Sequence, residues 1–319
     1  MGLKTVVVGL GGNALAPRSG PQSADSQRQR IRETANVLGR AAERTRLVVT
    51  HGNGPQVGML AARETSLAPE ERSPLDVLTA QTEALIGCLL QRELENTLRG
   101  IEVATLLTEV LVDPADPAFA NPTKPIGRYV DETRARGLHD ALGWTFRPSG
   151  SNWRRVVPSP EPIDVLELPV IRRLVTSGVV VICAGGGGIP VVLDEASGTI
   201  VGVEAVVDKD LASSLLAVLL DADALLLLTD VDAVYDGFGT PDARAVRRID
   251  IDHLRAMRLD GPQGRSLLPV RRSDRPPCCH RRARRRRSRL TRRLRNRGRR
   301  GATPHRMATR SVTPHNSVG

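Results

Sequence analysis

Lysine is scarce in this chain: Lys4, Lys124 and Lys209 stand against 43 arginines in 319 residues. Where positive charge alone is needed, arginine supplies it. A lysine set in Pro-Thr-Lys124-Pro, or between two aspartates as Lys209 is, therefore reads as a compact ammonium with a task. Aromatic residues are nearly as rare, seven in all, and five of them (Phe119, Tyr129, Trp144, Phe146 and Trp153) fall in one stretch. Of the four cysteines, Cys88 and Cys183 are far apart in apolar surroundings, which excludes a disulfide framework and predicts a reduced, cytoplasmic body. Cys278-Cys279-His280 has neither the spacing nor the further ligands of a metal site, and no metal-ligating set is assigned. Long apolar runs are also missing. Leu215 to Leu228 is broken by Asp221 and Asp223, so no membrane span is expected. The first apolar run, Thr5 to Leu10, leads straight into Gly11-Gly12-Asn13, unlike a signal peptide. Neither Gly-x-x-x-x-Gly-Lys-Ser/Thr nor Gly-x-Gly-x-x-Gly occurs, which argues against a Walker-type ATPase and a dinucleotide fingerprint.

The net charge of +11 suggests a nucleic-acid binder until its distribution is considered. Residues 270–319 hold 18 arginines and one acidic residue, a charge of +17, so the remainder carries −6. Such a tail would bind phosphate backbones without sequence preference, and it has no aromatic residue with which to stack bases. No specific nucleic-acid partner is expected. The tail also lacks apolar periodicity, which predicts disorder from about residue 270 and no strand completing the sheet. Its composition is what a GC-rich gene yields when read out of frame.

The body alternates strands and helices. Lys4 to Leu10 reads as a buried parallel strand ending at Gly11-Gly12-Asn13, Ser23 to Arg46 as an amphipathic helix, and Leu47 to Thr50 as a second strand. That strand ends in His51-Gly52-Asn53-Gly54-Pro55, a glycine-rich loop feeding a helix. For His51 two readings stand, a general base and a structural histidine that fixes the loop, and the second is favoured. Pro74 to Leu98 is a long helix and Ile101 to Leu107 a strand, which predicts a three-layer α/β/α fold with a mainly parallel central sheet. From Asp113 to Pro162 the periodicity is lost, and a small excursion is expected whose aromatics form its own core. Val170 to Leu174 and Leu211 to Leu220 read as helices, and Ala224 to Leu228 as a fully buried strand.

The stretch from Val179 to Ser214 organises the rest. A buried run ends in Gly185-Gly186-Gly187-Gly188, and a second apolar run delivers Asp208, Lys209 and Asp210 at a helix start. Glycines let backbone amides close on an anion, and a lysine between two carboxylates is an oriented positive charge, a combination that suits phosphate. The plainer reading is a tight turn followed by a capped helix. The strand ending at Thr229-Asp230-Val231 brings a fourth small or polar strand end to the same side, beside Gly11, Gly52 and Gly185.

Together these residues resemble the amino-acid kinase family and, within it, the carbamate kinases. The resemblance runs from Val6 to about Pro269 and is carried by Gly11 to Leu15, His51 to Gly58, Asn121 to Gly127, Arg154 to Pro160, Gly185 to Val191, Glu204 to Asp210 and Leu228 to Asp232. The Pro-Thr-Lys-Pro-Ile-Gly and Arg-Arg-Val-Val-Pro-Ser-Pro runs look specific to carbamate kinases. The resemblance implies reversible phosphoryl transfer between ATP and carbamate, including ATP formation from carbamoyl phosphate in arginine catabolism. It implies that the amides of Gly11, Gly12, Gly52, Asn53 and Gly54, with Asn13, hold the acceptor end. Lys209 would bridge the transferring phosphoryl group, Asp208 and Asp210 would orient Lys209 or magnesium-bound water, and Lys124 would close over the site. Gly185 to Gly188, Thr229, Asp230, Val231 and Tyr235 would line ATP or ADP, with Mg2+ held mostly by phosphates and water, in a homodimer. An acceptor half is expected over residues 1–202, with the excursion at 113–162, and a nucleotide half over 203–269.

Departures accompany the likeness. Arg265-Ser-Leu-Leu-Pro269 reaches the point where the family has Gly-Ser-Met-x-Pro-Lys-Val, and Val270 stands where that lysine belongs. Thr82-Glu83-Ala84 stands where the family tends to have Thr-Gln-Gly. A catalytically impaired kinase-fold nucleotide binder and a tail-driven nucleic-acid binder are the alternatives.

Overall fold

A computed structural model describes residues 3–11, 15, 24–194, 196–228, 234–236 and 244–246. Contacts divide the chain into two units, Met1–Arg275 and Pro276–Gly319, and the described residues all belong to the first. The expectations for the arginine-rich tail, and those for Gly12, Asn13, Thr229, Asp230 and Val231, lie outside the described residues.

In chain order the elements are β1 (Lys4–Leu10), α1 (Ala24–Ala42), β2 (Thr45–His51), α2 (Gly54–Arg63), α3 (Leu75–Thr97), β3 (Val103–Thr105) and β4 (Glu109–Val112). There follow β5 (Lys124–Val130), α4 (Glu132–Leu142), β6 (Phe146–Ser149), β7 (Asn152–Val157), β8 (Pro162–Val165), α5 (Leu168–Thr176) and β9 (Val180–Ile182). The last are β10 (Ile189–Asp194), β11 (Thr199–Gly202), α6 (Lys209–Leu220), β12 (Ala224–Leu228), β13 (Val234–Asp236) and β14 (Arg244–Val246).

The central sheet runs β12-β1-β2-β9-β3, and every pairing is parallel. Parallel strands bury both faces, and successive side chains alternate between them. On one face Val7, Val48 and Val181 pack with Leu168 and Ile171 of α5 and Leu215 and Leu216 of α6. On the other, Val8, Val49 and Ile182 pack with Ile31 and Leu38 of α1 and Ile86 and Leu90 of α3. This is the expected α/β sheet with helices on both sides. Its strands end together, which gathers the segments after β1, β2 and β9 at one edge.

Four readings of the sequence need correction. The helix expected over Ser23–Arg46 stops at Ala42, because Thr45 and Arg46 already pair with Lys4 and Thr5 in the sheet. β12 is not fully buried: Leu225 joins the α6-side core, while Leu226 and Leu228 are 48% and 37% exposed on a face that no described helix covers. A second sheet of order β11-β10-β4-β8 went unread, since its strands are short and two of its pairings are antiparallel hairpin or return contacts. The excursion does form its own antiparallel sheet, β5-β7-β6, but its aromatics make no core of their own. Phe119 packs on the main core, Trp144 joins Val57, Leu78, Ile126 and Val157, and Tyr129 is exposed. The excursion is thereby fastened to α2 and α3.

Candidate active site

Asp208 sets where α6 begins. Its Oδ1 accepts from the Asp210 amide at 2.9 Å and from the Leu211 amide at 3.4 Å, an N-cap that satisfies two otherwise unpaired donors and starts the helix at Lys209. Its Oδ2 pairs with the Lys124 ammonium, and the Lys209 ammonium pairs with Asp210. None of these four side chains is more than 25% exposed. Burial works against the Asp208 charge, but Lys124, the Asp210 amide and Lys209 outweigh it and hold the carboxyl below the ordinary carboxylate range. One turn on, Ser213 Oγ lies 2.6 Å from Thr50 Oγ1, which ties α6 to the end of β2.

Lys124 reaches this point because two glycines allow close backbone contact. A Cβ on Gly58 of α2 would lie 2.0 Å from the Gly127 amide nitrogen, and Gly127 has φ +69°, a conformation that favours glycine. The β5–β7 register shifts between Ile126 and Tyr129 at the same place. β5 thus lies directly on α2, with the Pro125 carbonyl oxygen 3.9 Å from the Cβ position of Gly54. The Arg154-Arg155 pair supports it: Arg154 Nε donates to the Gly127 carbonyl at 3.2 Å, and the Arg155 guanidinium stacks 3.6 Å from the Trp144 ring.

At the start of α2 the N-cap residue is Asn53, yet its side chain does not cap; Asn53 Nδ2 donates instead to Thr82 Oγ1 at 2.8 Å. Pro55 sits in the first turn. The positive end of α2 is therefore left to ligand or solvent beside Lys124. Gly11 and Gly52 differ. The Gly11 amide donates to Leu228 O at 2.8 Å and the Gly52 amide to Leu10 O at 3.0 Å, because the parallel ladder continues one residue past the strands. Their expected role as anion-binding amides is withdrawn on that ground.

The glycine run after β9 is shaped by packing. A Cβ on Gly185 would lie 2.4 Å from His51 Nε2, one on Gly186 2.2 Å from Asn53 Nδ2, and one on Gly187 2.4 Å from the Val207 carbonyl oxygen. Gly186, Gly187 and Gly188 all have positive φ. The amides of Gly185, Gly187 and Gly188 donate to Glu83, Ala184 O and Gly185 O. These three amides serve the protein, and the run packs the β2 loop against the segment that ends in Asp208.

His51 is fully buried, and burial pushes its imidazole down to about 4, against a weak opposing bond to Gly52 O. A ring so weakly basic and fully buried is a poor acceptor for a substrate proton, which favours the structural reading over the general base. Glu83 on α3 was missed. It is 1% exposed, accepts from the Gly185 amide at 2.8 Å, and is pushed up to about 8 by burial despite that bond. Two signals in the sequence point to it, the departure at Thr82-Glu83-Ala84 and a lone acid on the buried helical face formed by Leu75, Leu78, Thr82, Ile86 and Leu90. Tyr235 lies in β13, paired with Ala245 of β14.

Two lysines held by two aspartates lie next to an uncapped helix N-terminus at the ends of the parallel strands, a concentration of positive charge that suits an anionic group such as the one a phosphotransferase handles. The Amino acid kinase family model matches residues 4–267, and the chain belongs to that family. It is 50% identical over 243 residues to Carbamate kinase of Rhizobium meliloti (strain 1021), covering 76% of this chain and 75% of that protein. Identity to Carbamate kinase of Escherichia coli (strain K12) is 43% over 269 residues, 84% of this chain and 89% of that one. The solved structure of Carbamate kinase from Giardia lamblia bound to AMP-PNP superposes with a TM-score of 0.72 at 37% identity, over 83% of this chain and 89% of that chain.

Proposed function

We propose that this chain is a carbamate kinase-type phosphotransferase, moving a phosphoryl group reversibly between ATP and carbamate to give ADP and carbamoyl phosphate. The observation that carries the reading is the pairing of Lys124 with Asp208 beside that of Lys209 with Asp210, the two lysines contributed by different parts of the fold. The relatives named carbamate kinase, similar over most of the chain, support the choice of acceptor.

In the forward direction a carbamate oxygen attacks the terminal phosphorus of ATP, the bond to the bridging oxygen breaks, and ADP leaves. No proton need move, because the nucleophile is already an anion. What the protein supplies is position and positive charge for a loose, in-line transition state. Lys209, fixed at the first turn of α6, meets the transferring group, and Lys124 closes over it from the excursion. Asp208 and Asp210 hold the two ammoniums in place. The start of α2, at Asn53 and Gly54, with Gly12 and Asn13, takes the acceptor end. Thr229, Asp230, Val231 and Tyr235 line the nucleotide, in the half formed by residues 203–269.

Among the described residues no group of three or more His, Cys, Asp or Glu side chains is placed to hold a metal ion. With Asp208 and Asp210 both engaged by lysines, the reading is that magnesium enters as part of the nucleotide substrate. A homodimer is proposed through the outer face of α3, where Val77 and Leu85 are 41% and 52% exposed and Cys88 is exposed too. No described helix is long and apolar enough to cross a membrane, and the proposed place of action is the cytoplasm.

The test is a coupled assay for ATP made from ADP and carbamoyl phosphate. Acetylglutamate and uridylate should not be phosphorylated from ATP. Activity on either of those, with none on carbamoyl phosphate, would overturn the assignment.

A further inference from the structure

Glu83 lies at the meeting point of three strand-end segments. From α3 its carboxyl accepts from the Gly185 amide at 2.8 Å and from the Thr108 amide at 3.4 Å. Thr108, between β3 and β4, in turn accepts at Oγ1 from the Ala184 amide at 3.0 Å. Across Gly185 stands the His51 ring: His51 Nε2 and Glu83 Cγ lie within 2.7 Å of the point where a Gly185 side chain would begin. His51 Nδ1 faces Gly52 O at 3.4 Å, which assigns its proton to Nδ1 and leaves Nε2 as an acceptor. That Nε2 is buried and has no partner.

The two groups are neighbours across Gly185, and a protonated carboxyl could supply the donor that the ring nitrogen lacks. A buried carboxyl without a cation must keep its proton, and a carboxylic acid is a donor as well as an acceptor. No lysine or arginine pairs with Glu83 among the described residues. The titratable groups that act on it or beside it are His51 at the end of β2, Cys183 after β9, Glu167 before α5 and Glu109 in β4. Burial pushes the His51 ring to its neutral form, holds the Cys183 thiol protonated and raises both glutamates, so none of them offers a positive charge.

We infer that Glu83 is a positioning residue acting in its neutral form, accepting the Gly185 amide and donating its proton to His51 Nε2, so that α3, the β2 loop and the glycine run are clasped together. The positioning role rests on the phosphoryl-transfer reading of the site. Loss of the proton sets a carboxylate against the Nε2 lone pair and releases the clasp. The release reaches the site by contact: Gly186 packs on Asn53 at the start of α2, and Gly187 packs on Val207 next to Asp208. No covalent step is involved, only one proton leaving to solvent.

The experiment compares wild type with Glu83→Gln, whose amide can accept from Gly185 and donate to His51 while giving up only the long contact from the Thr108 amide. Rates of ATP formation from carbamoyl phosphate and melting temperatures are measured from pH 5 to 10. In wild type kcat should fall about tenfold per pH unit above the basic limb near 8, as a single essential ionisation requires. Glu83→Gln should keep its rate at pH 7 within about threefold and lack that limb. Its melting curve should also diverge from wild type, because the folded wild-type carboxyl is pushed up to about 8 and binds more protons than the unfolded one. Wild type should therefore lose stability relative to Glu83→Gln as pH rises from about 4.5 through 8, and not beyond. A basic limb that persists unchanged in Glu83→Gln overturns the positioning role, and parallel melting curves overturn the clasp itself. Wild type inactive at every pH would instead sink the proposed reaction, and the melting curves would still decide the clasp.

Discussion

Lys124 and Asp208, 84 residues apart in the chain, form an ion pair that joins the first strand of the excursion to the N-cap of α6. One carboxylate therefore does two things: it starts the helix that presents Lys209 and holds the ammonium that the excursion brings in. Placement of the two lysines is coupled through a single side chain, which makes the site sensitive to changes in the excursion that leave the sheet intact.

Lys209 is expected to act mainly in the transition state, where charge on the transferring phosphoryl group is most spread. Lys209→Ala should lower kcat by a factor on the order of 10³ or more with little change in nucleotide affinity. Lys209→Arg should fare almost as badly, because a planar fork cannot occupy the position of a compact ammonium paired with Asp210. Turnover close to wild type in either variant would reduce Lys209 to a structural role.

Gly58→Ala tests how Lys124 is delivered. The added methyl would lie 2.0 Å from the Gly127 backbone nitrogen, and backbone cannot move aside as a flexible side chain can. β5 must lift off α2, at a cost of about 1–3 kcal/mol for overpacking. Denaturant unfolding should show that loss, and the KM for carbamoyl phosphate should rise as Lys124 moves away. A Gly58→Ala protein with unaltered stability and KM would mean that the glycine contact does not hold Lys124 in place.

How much of this was legible in the sequence depended on the kind of contact. β1 was readable to the residue, since Lys4 opens an apolar run, Thr5 to Leu10, whose valines pack on both faces and which stops at a glycine. The start of α6 was readable from Asp208 and the lysine between two aspartates. The hairpin of β10 and β11 was not, because Val192, Leu193, Ile200 and Val201 are only partly covered or exposed and leave no clean alternation. The role of the glycine run was half legible. Four small residues do mark a close approach, but sequence cannot say whether a ligand or His51 and Asn53 make it. Glu83 was hidden for a related reason: a buried acid looks like any other helix residue until its partners are known.

Leu85→Arg tests the proposed dimer face. Leu85 is 52% exposed on α3, so the substitution leaves the buried stripe of that helix untouched and should change melting temperature little. Placed in an apolar contact between two copies, the arginine would be buried without a partner, and the dimer should dissociate. Sedimentation at matched concentrations reads the mass directly. A wild-type dimer whose mass is unchanged in Leu85→Arg would move the interface off this face.

The Lys124–Asp208 pair also predicts a pH dependence opposite in sign to that of Glu83. The folded Asp208 carboxyl is held below its ordinary value, since Lys124, the Asp210 amide and Lys209 together outweigh burial. It therefore binds fewer protons folded than unfolded through the acid range. Its contribution to stability is complete above about pH 5, where the unfolded group is ionised, and is lost as pH falls through the lowered folded value. Asp208→Asn keeps a weaker N-cap, because an amide oxygen still accepts from Asp210 and Leu211, but gives up the charge on Lys124. Wild type should therefore be the more stable above pH 5 by a constant margin, and the margin should shrink below about pH 4. Urea unfolding of both proteins at a series of pH values measures it, and 1 M salt should narrow the margin only slightly because the pair is largely shielded from water. A margin that grows toward low pH would mean that Asp208 is not held ionised by Lys124, and the coupling of the two lysines would fall with it.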